Sequence, residues 1–411
     1  MLFNNIDWVR PDKFNPAGVA VNAQSPLLGQ TGLSYELDRT KPIAEVLIRA
    51  RFQIAGGALT LNTTAFVDGI LGLFKRIRLR RPSGVQAPSP QNAVDFSGIG
   101  LIEYCANAGI NLPTDTLGAI IANAGATIAQ NTWISLVIRI PYVFPGLPSP
   151  TRQRCTLPCH TWTESPKLEI DFETAANMYT NGTAGVIANM AIDVALIRDE
   201  PNTAHTTAVS GAGGYIPADL TEANYTVAPG TTTEQSIPIA LHGRYLTLQL
   251  RSYLGGANLT RNVPDAVTIP GQETSWELRV GGNRKFKFFL SQLLPLNDLS
   301  RPLNSHLQAT SPALGRPVNA AFNPGGGLTL GACLFQTPAS VMLDFMNDAA
   351  ASDGAPAYDF GSTLDAETPF ANGQKVELAF LPANVATNGS VIWYGGHRLW
   401  GDLSNYMAVA A

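Results

Sequence analysis

The chain has 411 residues and a formal net charge of −4, and charged residues make up only 14% of it, against roughly 25% in ordinary globular proteins. This weak acidic balance, with no basic arm at either end, disfavours direct packaging or sequence-specific binding of nucleic acid, which needs many Lys and Arg side chains. Low charge together with 38 glycines and 29 prolines predicts a turn-rich β protein whose surface is largely covered by neighbouring molecules, or alternatively a secreted β-sandwich with a neutral surface.

Length and the absence of targeting segments set the next expectations. A chain of this size usually divides into domains of about 200 residues or fewer. The first residues contain no apolar core typical of a signal peptide, and no run of about 20 apolar residues predicts a membrane span. We therefore expect synthesis in the cytoplasm.

The first 37 residues predict an irregular arm that lies along a surface. Three prolines are spaced through this segment, which disfavours a long helix. It also carries aromatic and basic side chains in its first 14 positions. The candidate contact residues of the arm are Phe3, Trp8, Arg10, Lys13 and Phe14.

Strict alternation of apolar and polar residues then predicts half-buried β-strands throughout the first half. Residues 92–128 are weakly periodic and allow a helix or a loop, while the proline-rich residues 145–158 predict a crossing loop. The basic residues from Lys75 to Arg81 alternate with apolar ones and are interpreted as the polar face of a strand, with a nucleic-acid patch as the alternative. The clearest predicted strands lie at residues 48–54, 74–80, 133–140, 166–173 and 190–196.

The same layout returns after a segment rich in Gly, Thr and Asn. Alternation resumes at residue 245, and further strands are predicted near residues 276–288, 341–345, 376–380 and 391–394. Long inter-strand loops and little helix favour an all-β protein built from two packed-sheet domains, each about the size of an eight-stranded sandwich. The predicted divisions are an N-terminal arm at 1–37, a first domain at 38–200, a linker at 201–234 and a second domain at 235–411.

Few residues suggest chemistry. Cys155, Cys159 and His160 form the only metal-like grouping, but a zinc site needs a second ligand pair, so loop thiols that tolerate Ala or Ser within about 1 kcal/mol are the simpler interpretation. No nucleophile elbow, phosphate loop or dinucleotide motif is present. We expect no catalytic site, no metal and no cofactor. Four carboxylates leave glycoside hydrolysis open as an alternative: Asp344, Asp365, Glu367 and Glu377.

The order of these features resembles the double jelly-roll major capsid proteins of tailless icosahedral viruses with an internal membrane, bacteriophages among them, in the tectivirus and adenovirus-hexon lineage. The resemblance spans most of the chain as a pattern, without a short signature motif. The stretches that carry it are residues 43–54 with 70–81 and 95–102, residues 133–141, residues 165–172 and residues 388–397.

The resemblance implies two tandem eight-stranded jelly rolls and a role as the major coat protein of a virion. Homotrimers would form pseudo-hexagonal capsomers that contact neighbouring capsomers, minor capsid proteins and penton proteins. Relatives often begin with an amphipathic helix near the membrane, whereas the prolines here leave only peripheral membrane contact by the arm, or an arm packed on its own subunit. A carbohydrate-binding or carbohydrate-cleaving tandem β-sandwich remains the alternative from another class.

Overall fold

A computed structural model describes most of the predicted strands and their pairing. Within the described residues the chain forms twenty β-strands and three short α-helices. The strands assemble into three larger sheets and one two-stranded ribbon. The described residues are 6–9, 33–61, 72–82, 92–108, 110, 127–144, 149–178, 184–200, 216–239, 244–254, 260–261, 275–280, 282–289, 340–344, 376–381 and 389–399.

One four-stranded antiparallel sheet belongs to the first half of the chain, residues 1–200. Along the strand Ile43–Ala55, alternate residues from Val46 to Ile54 are fully buried, as the period of two predicts. In spatial order its strands are β1 (Ile6–Val9), β10 (Val186–Arg198), β3 (Ile43–Ala55) and β8 (Trp133–Ile140).

A ten-stranded sheet runs through both halves of the chain. In spatial order its main path is β15 (Thr260–Arg261), β14 (Thr247–Leu254), β20 (Ser390–Leu399), β11 (Ala218–Val227), β6 (Asn92–Phe96), β5 (Phe74–Arg80), β9 (Lys167–Phe172) and β2 (Leu33–Glu36). Two further strands pair beside this path, β13 (Arg244–Tyr245) on β20 and β18 (Ser340–Asp344) on β14.

The second half, from residue 216 onward, has an antiparallel sheet of its own. A stacked pair, Trp276 and Phe380, lies in its core with ring centroids 4.2 Å apart. In spatial order the strands are β12 (Gln235–Pro238), β19 (Val376–Phe380), β16 (Ser275–Val280) and β17 (Asn283–Phe289). The two-stranded ribbon, in the first half, consists of β4 (Leu59–Thr60) and β7 (Thr127–Ile128).

The helices are short and lie in the first half. Among the described residues none is long and apolar enough to cross a lipid bilayer. Helix α1 (Gly98–Asn107) follows β6 after Ser97 and contacts β8 and β5, so it connects the two layers of the first half. The helices are α1 (Gly98–Asn107), α2 (Ser149–Cys155) and α3 (Ala175–Met178), with one 3-10 turn at Cys159–Thr161.

The predicted all-β class is confirmed, and three local expectations need correction. The arm is not wholly irregular, because β1 and β2 both pair with other strands of the chain. The proline-rich crossing loop contains α2, with Pro150 in the first turn, where proline is tolerated. The predicted linker contains β11, whose polar exposed end hides its strand periodicity. The outer domain boundaries stay a prediction.

Candidate functional site at the seam between the two halves

The two halves meet where β6 and β11 lie side by side. They pair in parallel through only two positions, with Leu220 opposite Val94 and Thr221 opposite Asp95. So short a pairing supplies few backbone hydrogen bonds. The side chains around it, together called the seam, therefore decide how firmly the halves are joined.

A buried ionic group, called the Glu222 cluster, joins Glu222, Arg251 and Ser97 across the seam. The Arg251 guanidinium donates to Glu222 Oε1 over 2.7 Å and to Ser97 Oγ over 2.9 Å. The other carboxylate oxygen accepts the backbone N–H and the hydroxyl of Ser97 at 3.1 and 2.7 Å. Arg251 and Glu222 are almost fully buried, so this pair is shielded from solvent screening.

A second arginine extends this group towards Trp393 on β20. Arg76 of β5 forms an ion pair with Asp95 and donates to the backbone carbonyl of Glu222 over 2.6 Å. The Trp393 ring lies within 6.0 Å of the Arg76 guanidinium and 5.4 Å of the Arg251 guanidinium. Both distances fall in the range of a cation–π contact. Strands β5, β6, β11, β14 and β20 are thus joined by side chains as well as by their backbones.

A second buried group, called the His397 cluster, lies between β20 and the first half. His397 Nδ1 lies 2.6 Å from the Tyr104 hydroxyl, which is 2.6 Å from the Thr247 hydroxyl. On the other side of the imidazole, Nε2 lies 2.5 Å from the Pro141 carbonyl oxygen and 3.2 Å from that of Tyr142. Burial lowers the pKa of His397 to about 4, so the imidazole is neutral at physiological pH.

A third group of contacts joins the start of β11 to β20 and to the first half. Arg398 forms a bidentate pair with Asp219, at 2.9 and 2.8 Å, and both side chains are buried. On the first-half side, Arg81 donates to the Ala218 carbonyl over 2.5 Å, and the Tyr142 hydroxyl donates to the same oxygen over 3.0 Å. The beginning of β11 is therefore held from both sides.

The basic run of the sequence forms an ion-pair ladder on the face of the shared sheet. Arg78 lies 2.6 Å from Asp171, and Arg80 lies 2.8 Å from Glu169. Because β5 lies between β6 and β9, its arginines stand beside carboxylates on both neighbours. These pairs neutralise the positive charge and favour the strand-face interpretation over a nucleic-acid patch.

The seam has the character of a structural joint. Buried ion pairs contribute little net stability because desolvation offsets their attraction, but an unpaired partner is costly. Sliding of one half against the other would break the buried hydrogen bonds of Ser97 with Glu222 and Arg251. It would also remove Arg76 and Arg81 from the backbone carbonyls that they bind on β11. The seam therefore fixes one relative orientation of the halves.

The grouping of Cys155, Cys159 and His160 has no metal-binding geometry in the structure. Cys155 ends α2, and Cys159 starts the 3-10 turn with its thiol 2.9 Å from the Lys41 carbonyl. Both thiols are buried, and burial raises their pKa to about 12. In the described part of the chain, no three metal-ligating side chains come together. The sequence suggested loop thiols that tolerate substitution. That expectation is wrong about burial, because Cys155 and Cys159 are both buried.

The carboxylates of the glycosidase alternative are only partly described. The Glu377 carboxylate, on β19, accepts a hydrogen bond from the Ser236 hydroxyl at 2.5 Å. Asp344 is the last residue of β18. Asp365 and Glu367 lie outside the described residues. The glycosidase alternative therefore stays a prediction.

The arm residues are likewise only partly described. Trp8 lies in β1, with its backbone opposite Ala195 of β10. The other four candidate contact residues, Phe3, Arg10, Lys13 and Phe14, lie outside the described residues. Residues 6–9 therefore lie along their own subunit, and the outward contacts of the arm stay a prediction.

The comparisons with known proteins identify the fold. No protein-family model matches the sequence, and no curated protein matches it. The major capsid protein of STIV is 12% identical with a TM-score of 0.53, covering 93% of this chain and 95% of that one. A chain in the atomic structure of Sulfolobus turreted icosahedral virus is 12% identical with a TM-score of 0.55, covering 93% and 90% respectively. A chain of the PBCV-1 virus capsid is 12% identical with a TM-score of 0.50, covering 96% and 93%.

These similarities extend over nearly the full length of each chain. At 12% identity they establish the fold and not the role of any residue. The chain has the double jelly-roll fold of these capsid proteins, as the sequence predicted. The seam is a feature of this chain's side chains, and no pattern in the sequence predicted it.

Proposed function

We propose that the protein is the major coat protein of a tailless icosahedral virion and has no enzymatic activity. The observation that carries this proposal is the full-length similarity to major capsid and capsid chains, which covers more than nine-tenths of this chain. Similarity to a single roll would suit many sandwich proteins. Similarity across both rolls and their connection is far more specific to the tandem arrangement.

The seam supports the proposal physically. A capsomer built from three copies has six rolls, and a regular pseudo-hexagon requires the two rolls of each copy to keep one orientation. The buried hydrogen bonds of Ser97 with Glu222 and Arg251 cross between the rolls and impose such an orientation. The contact of Arg81 with the Ala218 carbonyl does the same at the start of β11. The rolls would correspond to the predicted domains at 38–200 and 235–411, with β11 assigned to the second roll.

Charge distribution also suits a protein covered by its own copies. Many charged side chains are used in pairs within the chain, on the ladder and in the seam. A surface poor in free charge favours extensive contact with neighbours, since obligate interfaces are large and rather apolar. We propose homotrimers, lateral contacts between capsomers, contacts with minor capsid and penton proteins, and peripheral contact of the arm with an internal membrane.

The test is the mass and shape of the purified protein. Light scattering coupled to size-exclusion chromatography should give three times the 43.7 kDa chain mass at micromolar concentration. Negative-stain micrographs should show particles with a pseudo-hexagonal outline. A monomer at these concentrations, or binding and cleavage of glycans by a monomer, would overturn the coat-protein proposal in favour of the carbohydrate alternative.

A further inference from the structure

The hydrogen bonds of the His397 cluster fix the position of each proton. A carbonyl oxygen only accepts, so the contact with Pro141 places the ring proton on Nε2. Nδ1 is then a lone-pair acceptor and receives the Tyr104 hydroxyl proton. Tyr104 in turn accepts from the Thr247 hydroxyl, which accepts the backbone N–H of His397 at 3.2 Å. This assignment closes a ring of hydrogen bonds around a neutral imidazole.

A second proton on the imidazole reverses part of that ring. It would occupy Nδ1 and donate to the Tyr104 oxygen, so the Tyr104 hydroxyl would have to turn and donate to Thr247 instead. The new positive charge would also be buried beside the Phe144 ring, whose centroid is 5.4 Å from that of the imidazole. Burial of a charge without a counter-ion is costly.

Among the described residues, the groups that contact the imidazole include no counter-ion. Tyr104 faces it from α1, Thr247 from β14, and the carbonyls of Pro141 and Tyr142 from the segment after β8. The charged groups of the seam are used elsewhere. They form the pairs Arg251 with Glu222 and Arg398 with Asp219, while Arg81 binds the Ala218 carbonyl and the Tyr142 hydroxyl.

We propose that the His397 cluster is an acid-sensitive contact that holds the two halves together at neutral pH and releases β20 from the first half when the imidazole takes up a proton. The contacts of the imidazole run from the second half to the first. Tyr104, Pro141 and Tyr142 belong to the first half, and His397 and Thr247 belong to the second. Proton uptake therefore weakens the joint between the halves before it weakens the four-stranded sheet of either half. This inference does not depend on the coat-protein role.

The direction of the pH effect follows from the pKa values. An imidazole in the unfolded or opened chain has its ordinary pKa of 6.5, whereas burial lowers that of His397 to about 4. The stabilisation by the neutral ring is complete above pH 6.5 and is lost as the pH falls from 6.5 towards 4, because the opened form takes up the proton first. Between pH 7 and pH 4.5 the equilibrium for opening should increase by about 60-fold.

Hydrogen exchange measured by mass spectrometry on the full-length protein tests the proposal. Protection of the peptides that contain β11 and β20, corrected for the intrinsic pH dependence of exchange, should fall by about 60-fold between pH 7 and pH 4.5. Protection of β16 and β17, which lie in the second-half sheet, should change much less. In His397→Gln, whose amide can accept from Tyr104 and donate to Pro141 without titrating, the fall at the seam should disappear.

Equal loss of protection in wild type and His397→Gln would overturn the proposal, as would equal loss at the seam and in β16–β17. A second measurement needs no variant. Histidine-selective 15N NMR of the wild-type protein should show one imidazole that keeps the Nε2–H form down to about pH 4. If all five histidines gain a proton near their ordinary pKa, the contact is not acid-sensitive.

Discussion

Arg251 and Ser97 are 154 positions apart in the chain, yet the Arg251 guanidinium donates to Ser97 Oγ over 2.9 Å in the buried seam. Ser97 immediately precedes α1 of the first half, and Arg251 lies on β14 of the second. Glu222 accepts from both residues. One carboxylate is thus shared between the two rolls, and the integrity of the joint can be tested on these three side chains.

Arg251→Met should destabilise the protein strongly, because it leaves Glu222 buried without its cationic partner. We expect a loss of about 3–5 kcal/mol in the free energy of unfolding. Urea denaturation of purified protein measures it. The double variant Arg251→Met with Glu222→Gln removes the charge as well and should recover part of that loss.

A surface pair provides the matched control. Lys41 and Glu200 also form an ion pair at 2.8 Å, but both side chains are well exposed. Lys41→Met should therefore change the unfolding free energy by less than about 1 kcal/mol. Similar losses for Arg251→Met and Lys41→Met would show that burial of the seam pair has no energetic consequence.

Gly396 on β20 has no room for a side chain. An added Cβ would lie 2.0 Å from the Thr247 carbonyl oxygen and 2.7 Å from its carbonyl carbon, both of which are backbone atoms. Gly396→Ala should therefore displace β20 from its neighbours and cost more than about 4 kcal/mol, seen as loss of soluble, cooperatively unfolding protein.

Gly230→Ala separates this steric effect from glycine's conformational freedom. Gly230 has a φ of +69° but nothing within 4 Å of an added Cβ. The backbone strain alone should cost about 1–2 kcal/mol and leave the protein soluble. An equally soluble Gly396→Ala protein with the same unfolding midpoint as wild type would contradict the close packing of β20.

The three described cysteines should be unreactive in the folded protein. Cys105, Cys155 and Cys159 are buried, and their pKa is raised to about 12, so almost no thiolate forms at neutral pH. In a Cys333→Ser background, which removes the undescribed cysteine, Ellman's reagent should label no thiol in native buffer and three in urea. Rapid labelling of the native protein would contradict the burial.

Substitution of Cys155 and addition of a chelator test whether the buried cysteines bind a metal. Cys155→Ser should cost about 1–3 kcal/mol because it buries a hydroxyl in place of a thiol. A chelator should leave the thermal unfolding midpoint unchanged. Stoichiometric zinc in the purified protein, or unfolding on chelation, would restore the metal interpretation.

Strand positions were largely predictable, since alternation depends on neighbouring residues alone. Phe74–Arg80 was predicted with the observed bounds because one face of the strand meets the core and the other is polar. Trp133–Ile140 was predicted with the observed bounds because its run of apolar residues stops at Pro141. β11 was missed because its second half, from Ala223 to Thr226, is polar and partly exposed on both faces. Its place in the sheet depends on partners more than a hundred positions away.

The seam was unpredictable for the same reason. Glu222, Arg251 and His397 each occur in a segment whose local pattern gives no sign of burial, and their partners belong to other segments. The sequence does contain one indirect sign, the adjacent glycines at 395 and 396 within an otherwise bulky strand. A glycine pair there indicates close approach of other backbones, although it does not identify them.

Deletion of residues 2–14 should leave the trimer intact and impair assembly of particles. The deletion removes β1, whose four residues pair only with β10 among the described residues, so a moderate loss of chain stability is also expected. Deletion of residues 2–5 spares β1 while removing Phe3, and so distinguishes outward contacts of the arm from packing on its own subunit.

If both truncated proteins build normal membrane-containing particles, the arm has no assembly role. If only the longer deletion impairs assembly, and does so together with a lower unfolding temperature of the trimer, the arm acts through its own subunit. If the shorter deletion impairs assembly at an unchanged unfolding temperature, the arm contacts a neighbour or lipid, and Arg10→Gln with Lys13→Gln should then weaken binding to anionic vesicles by at most about 2 kcal/mol.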